Sequence, residues 1–175
     1  MKDSLPNGRY INPSPERGRH VPLLWRTFLE NGAFLLDTET TSLPPCAEVL
    51  DIAIVDANGW ALINQLLCPW DDIHPDACAV HGWNNWELQD YPVWDDRHAR
   101  IEYFLSEGTP VLAWNAPFDS DALLYTAQLH SCEWSKFHPL QLHDLLRDYR
   151  DFMVASHSDI GPKHCLLYTS PSPRD

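Results

Sequence analysis

No two cysteines of this chain stand at the C-x-x-C spacing of a zinc knuckle; Cys46, Cys68, Cys78, Cys132 and Cys165 are scattered. Scattered thiols point to reduced structural cysteines rather than to a disulfide framework or a zinc site. No apolar run approaches the roughly 20 residues that a membrane-spanning helix requires. The N-terminus lacks the charged-then-apolar pattern of a secretory leader. A soluble, cytoplasmic protein with no membrane partner is therefore expected. Basic residues are scarce as well: 12 Lys+Arg stand against 25 Asp+Glu, for a formal net charge of −13. Because phosphate contacts usually come from Lys and Arg, the total charge speaks against a polyanionic partner. It does so unless some of the carboxylates hold divalent metals, which would supply local positive charge. A solvated acidic surface accounts for the same total. What the chain does have is apolar content, 44% of 175 residues, enough for the core of one domain.

Residues 1–21 carry Pro6, Gly8, Pro13, Pro15 and Gly18 and no apolar period, which reads as a mobile, locally basic arm. Leu23, Leu24, Phe28 and Leu29 fall at helical spacing between Pro22 and Gly32. Ala33 to Asp37 is a short apolar run ending in an acid, as in a central strand buried on both faces. Residues 48–57 and 60–68 are β-type segments joined at Asn58-Gly59, a hairpin signal. A loop with short helical pieces follows over 73–92, then a helical face of Trp94, Ile101, Phe104 and Leu105. Thr109 to Trp114 reads as a second buried strand. Pro117 to His130 reads as a helix with Phe118, Ala122, Tyr125 and Leu129 on one side. Leu140 and Leu142 suggest a further short strand, and 144–153 a helix. Interleaved strands and helices imply an α/β sheet with helices on its faces.

Asp37 and Glu39 stand at i and i+2, so strand periodicity puts both carboxylates on one side of the sheet. Adjacent acids repel each other, and a divalent cation between them removes the repulsion. In Asn115-Ala116-Pro117-Phe118-Asp119, a strand ends and Pro117 opens a helix. Asp119 then lies in the first helical turn, where the helix dipole favours negative charge. A well-capped helix explains these residues singly, but not their pairing with the earlier acids.

Together the two segments resemble the DEDD 3′→5′ exonucleases (DnaQ-like, with RNase T and oligoribonuclease as relatives). The D-x-E-T-T motif of that family matches Asp37-Thr38-Glu39-Thr40-Thr41, and N-x-x-F-D matches Asn115 to Asp119. Between them, Ala77-Cys78-Ala79-Val80-His81-Gly82 is similar to A-x-x-V-H-G. The likeness covers roughly 34–164. Gly161-Pro162-Lys163-His164 resembles the opening of the third motif, H-x-x-x-x-D, whose acid would fall at Thr169. His143 and Asp148 have the same spacing but follow Asp119 closely, where the family has a non-catalytic segment. Residues 165–175 break the pattern and end in Ser170-Pro171-Ser172-Pro173-Arg174-Asp175. They resemble a translated sequencing adapter and are set aside as non-native. An incomplete exonuclease domain over 22–164 is the resulting expectation.

The resemblance implies an RNase H-like fold: a mixed, mostly parallel five-stranded sheet whose second strand runs antiparallel, flanked by helices. It implies two Mg²⁺ or Mn²⁺ ions, roughly 4 Å apart, on Asp37, Glu39, Asp119 and a fourth aspartate absent from the chain as written. His164 would be the general base. Thr40, Thr41, His81, Asn115 and Phe118 would surround the terminal nucleotide. The implied partner is DNA or RNA with a free 3′ end, with a polymerase or repair protein as a further partner. For want of its last ligand, the chain as written is expected to be inactive. A binding module that kept the fold and lost the chemistry is the alternative, although such a module has no need of clustered acids facing phosphate. Trp25, Trp60, Trp70, Trp94 and Trp134 are assigned to packing, while Trp83, Trp86 and Trp114 are candidates for stacking on bases.

Overall fold

The computed structural model describes residues 13–106 and 110–156. His164 and residues 165–175 lie outside this range. The chain opens on two helices, α1 (Pro15–Gly18) and α2 (Val21–Glu30), then runs through strands β1 (Phe34–Thr40), β2 (Val49–Val55) and β3 (Ala61–Leu66). Helices α3 (Pro75–His81), α4 (Asn85–Leu88) and α5 (His98–Leu105) follow. Strand β4 (Val111–Ala113), helix α6 (Ala116–Leu129), strand β5 (His143–Asp144) and helix α7 (Leu145–Ser156) complete the order. The sheet order is β3-β2-β1-β4-β5. Pairing is antiparallel between β1 and β2 and between β2 and β3, and parallel between β1 and β4 and between β4 and β5. As expected, β2 alone runs against the other strands of this mixed α/β sheet. The Asn58-Gly59 hairpin forms, with Gly59 at φ 85°, where a side chain would be strained.

β2 alternates between buried Ile52 and Ile54 and half-buried Asp51, Ala53 and Val55. One face of the sheet is therefore a core, which includes Leu36, Ile63, Trp94, Ile101 and Leu123. Each large side chain taken fully from water there contributes about 1.5–3 kcal/mol. The other face carries Leu35, Asp37 and Glu39 of β1 and is only partly covered.

Several expectations are corrected. Residues 15–18, read as part of an unstructured arm, are helical and docked. Gly18 lies so close to α7 that an added Cβ would stand 1.9 Å from the Asp151 carbonyl oxygen. The Arg17 Nε donates to Asp151 Oδ2 (2.7 Å) and the Ser14 N–H to Asp151 Oδ1 (2.6 Å). Such anchoring by a distant helix leaves no local periodicity to read. In α2 Val21 is buried and Leu24, Trp25 and Phe28 are half-buried, while Leu23 and Leu29 are exposed. In α6 the buried stripe runs through Ala116, Asp119, Leu123 and Thr126. Phe118 and Tyr125 are thereby turned away from the core. The last strand falls at His143–Asp144, behind a 3₁₀ turn at Pro139–Gln141. Trp94 is fully buried as expected, but Trp60 and Trp70 are largely exposed. Cys46, Cys68, Cys78 and Cys132 are free. Among the described residues no helix is long and apolar enough to cross a membrane.

Candidate functional site

β1 is longer than its parallel neighbour: β4 pairs with it only as far as Leu36↔Ala113. Beyond that point the edge of β1 at Asp37, Thr38 and Glu39 meets the turn at Trp114–Asn115 and the start of α6. The chain makes this turn with Asn115 in the left-handed region (φ 67°, ψ 49°). Asparagine tolerates that conformation better than bulkier residues do, and strained backbone of this kind concentrates at functional sites. The carbonyl of Asn115 accepts from the Phe118 N–H at 2.8 Å and closes the first turn. Asp119 is thereby brought beside the strand.

Asp37 and Glu39 share one face of β1, as strand alternation requires. Asp37 is exposed and Glu39 half-buried. Partial loss of hydration around the Asp37 carboxyl raises its pKa, against a hydrogen bond from the Thr38 backbone. Asp119 is 2% exposed. Burial pushes its pKa up to about 8, the nearby Asp37 charge adds to the shift, and hydrogen bonding to Thr38 opposes it. The Thr38 hydroxyl donates to Asp119 Oδ1 at 2.8 Å. Sequence reasoning missed Thr38, treating it as the free position of D-x-E. Its role becomes visible only once β4 is seen to stop short.

Asp51 was missed too. It stands opposite Glu39 in the antiparallel register, on the same face, where like charges repel. Pairing β2 against β1 with their alternation in phase would have found it.

The other expected site residues divide. Thr40 and Thr41 are buried and bond within the fold. The Thr40 hydroxyl donates to the Ser42 carbonyl (2.8 Å), and the Thr41 hydroxyl accepts from the Glu48 N–H (3.1 Å). The carbonyl of Thr41 holds the His74 N–H (2.8 Å), which ties the segment leading into α3 to β1. His81 is buried at the end of α3, its Nδ1 accepting from the Trp83 N–H (3.1 Å). Asn115 and Phe118 both line a cleft of about 680 Å³, together with Leu43, Pro44, Pro117 and Tyr125. The lining of the cleft is mostly apolar with a few polar groups. The Tyr125 hydroxyl donates to Asp71 at 2.8 Å, and this bond pushes its pKa up to about 12.

His143 and Asp148, which share the spacing of the third motif, are in contact: Nε2 and Oδ2 are 2.6 Å apart. Asp148 also accepts from Trp25 Nε1 (3.1 Å), and the His143 ring packs on Phe28 at 4.6 Å. The pair therefore joins β5, α7 and α2. His164 is outside the described residues.

No protein-family profile matches the chain. Exonuclease CP81 of Escherichia phage 186, itself uncharacterised, is 32% identical over 108 residues, 62% of this chain and 55% of that protein. Protein pSLT049 of Salmonella typhimurium strain LT2 is 43% identical over 65 residues, 37% of this chain and 46% of that protein. The chain thus spans about half the length of the curated relatives it matches. Among solved structures, apo exonuclease I superposes with a TM-score of 0.62 at 18% identity, over 74% of this chain and 32% of that one. E. coli exonuclease I in complex with a dT13 oligonucleotide gives 0.59 at 18%, over 73% and 30%. At such identities the likeness is one of fold. The domain has the RNase H-like α/β fold of exonuclease I and shares part of its sequence with a protein named as a phage exonuclease.

Proposed function

We propose that this chain carries a metal-dependent 3′→5′ exonuclease site, hydrolysing the phosphodiester bond at the 3′ end of a DNA or RNA strand. The observation that supports it most is that Asp37 and Glu39 share one face of β1 while Asp119, at the start of α6, stands beside the same strand and feels the Asp37 charge. All three are hard oxygen donors, the kind that Mg²⁺ and Mn²⁺ prefer. Their mutual repulsion and the raised pKa of Asp119 fit a place where positive charge is wanted. Among the described residues no three His, Cys, Asp or Glu side chains yet converge as a ligand set. Asp37 and Glu39 are therefore the residues that would hold a cation, with Asp119, now engaged by Thr38, beside them. Bound divalent cations supply Lewis-acid stabilisation of the phosphate and a more acidic attacking water.

The chain's own groups do the rest. The cleft lined by Phe118 and Asn115 would offer an apolar berth for a base, and the left-handed Asn115 turns the chain from β4 into α6, which carries Asp119. His164 would take the proton of the water, as the sequence resemblance implies. The curated relative named as an exonuclease and the exonuclease I fold support the reading.

A 5′-labelled oligonucleotide with Mn²⁺ tests it. The chain with Thr169→Asp, which restores the acid five residues after His164, shortens the label stepwise from the 3′ end. The chain as written does so far more slowly. Asp37→Ala and EDTA each stop the reaction. Absence of any shortening by the Thr169→Asp chain, with folding intact, would sink the proposal.

A further inference from the structure

Charge is not spread evenly over this acidic molecule. Of the lysines and arginines among the described residues, Arg17, Arg19, Arg26, Arg147 and Arg150 stand on or beside three helices packed together: α1, α2 and α7. The others are Arg97, Arg100 and Lys136. The acids of the same helical layer are partly spent internally. Asp151 takes Arg17 and the Ser14 N–H, and Asp148 takes Trp25 and His143. Arg19 and Arg26 are exposed. Arg147 and Arg150 are half-buried, each with an Nε shielded from solvent and without a hydrogen-bond partner.

The register of the sheet places this layer. Leu35 of β1 pairs with Leu112, and Leu112 with His143. Residues paired across strands share a face, so His143 lies on the face that carries Asp37 and Glu39. Its ring touches Phe28 of α2 and its Nε2 meets Asp148 of α7. The three-helix layer therefore covers the β4–β5 side of that face and borders its open part. Tyr149 of α7 packs on Trp114 (5.6 Å between centroids), beside the Asn115 turn. Arg97 and Arg100, by contrast, line a small pocket with Ile63 and Ile101, two residues of the opposite, core face.

We propose that α1, α2 and α7 form a phosphate-binding wall, on which Arg19, Arg26, Arg147 and Arg150 take the backbone of a nucleic-acid strand whose end lies at Asp37 and Glu39. The inference rests on the exonuclease reading of that face and adds the path of the strand. Among the described residues, five of the eight lysines and arginines stand on or beside the helices that border this face, so the wall would supply positive charge beside the acids. Phosphate contact is blind to sequence, so the wall suits a site that removes nucleotides one after another.

The test is fluorescence anisotropy of a labelled single-stranded oligonucleotide on the full chain, in Ca²⁺ to hold the substrate uncut, at several salt concentrations. For single strands the slope of log K against log salt is about 0.7 for each phosphate that a protein cation neutralises. Arg19→Gln with Arg26→Gln, and separately Arg147→Gln with Arg150→Gln, each lower the slope by about 1.4 on that scale. Arg97→Gln with Arg100→Gln leaves it unchanged. The exposed pair on α1–α2 guards against misfolding as the cause. Slopes unaltered in both wall variants, or lowered equally in the Arg97/Arg100 control, overturn the wall and leave the catalytic reading standing. Absence of binding by the parent chain overturns both. Tighter binding of anionic phospholipid vesicles than of oligonucleotide, abolished in the same variants, would assign the arginines to a lipid surface and overturn the proposal.

Discussion

Asp119 and Glu48 are almost equally buried, at 2% and 1% exposure, yet their surroundings differ in kind. Both oxygens of Glu48 are in use: Oε1 accepts from the Trp70 N–H (3.0 Å) and meets His130 Nε2 (2.7 Å), and Oε2 accepts from the Asp71 N–H (2.7 Å). The other ring nitrogen of His130 reaches Asp95 Oδ1 at 2.5 Å, and Trp70 packs on the ring. Glu48 thus joins β2, α6 and the approach to α3 and α5 in one network. Asp119 has the Thr38 hydroxyl, backbone donors and the repulsion of Asp37. Burial alone does not mark a working carboxylate. A buried acid whose charge is met by a histidine and backbone donors builds the fold; one buried beside another acid has the perturbed surroundings in which a functional carboxylate is sought.

The contrast can be broken from either side. Glu48→Ala strands His130 and two backbone N–H groups in the interior. We expect it to cost about 3–5 kcal/mol, measured by urea denaturation.

Glu102 is a second satisfied acid. Burial tends to raise its pKa, but donors from Lys136, Ser135 and Phe137 outweigh this and hold it below its ordinary 4.5. A depressed folded pKa stabilises the protein above the unfolded value, and that contribution disappears as pH falls through the folded one. Glu102→Gln should lose about 1–3 kcal/mol at neutral pH. Between pH 4.5 and the acid transition, its stability should then vary less steeply than that of the parent. Melting curves from about pH 3 to about pH 7 decide this.

Asp119→Asn should do least to the fold. Removing a poorly hydrated carboxyl leaves metal-free stability within about 1 kcal/mol of the parent or raises it, since residues kept for function are often not those best for stability. On the proposed metal reading, Mn²⁺ is expected to raise the Tm of the parent chain and not that of this variant. A large loss of stability in this variant would place Asp119 with Glu48, among the structural acids.

Much of this was legible in the sequence. Period-2 patterning, the Asn58-Gly59 turn and the acid at the end of an apolar run led to the sheet and to Asp37 and Glu39. Local signals of this kind depend only on residues a few positions apart. The roles of Thr38, Asp51 and Glu48 depend on where a neighbouring strand stops, on cross-strand register and on a contact with His130 across 82 positions of chain. None of these leaves a local trace. The face of α6 was misjudged for a related reason. Its small buried residues, Ala116, Ser120 and Ala127, are quieter in a hydrophobic pattern than the aromatics Phe118 and Tyr125, which line the cleft.

The docking of α1 onto α7 sets an order of events during synthesis. Ser14 and Asp151 are separated by 137 positions, so the first helices emerge from the ribosome long before the surface that receives them. They hold exposed Leu23 and Leu29 through that interval, and a helix of four residues has little stability of its own. The central strands can pair as they appear, but the helical wall must assemble last, after residue 151 is free. Pairings of such sequence separation, Ser14 with Asp151 among them, raise the mean contact order and so slow folding.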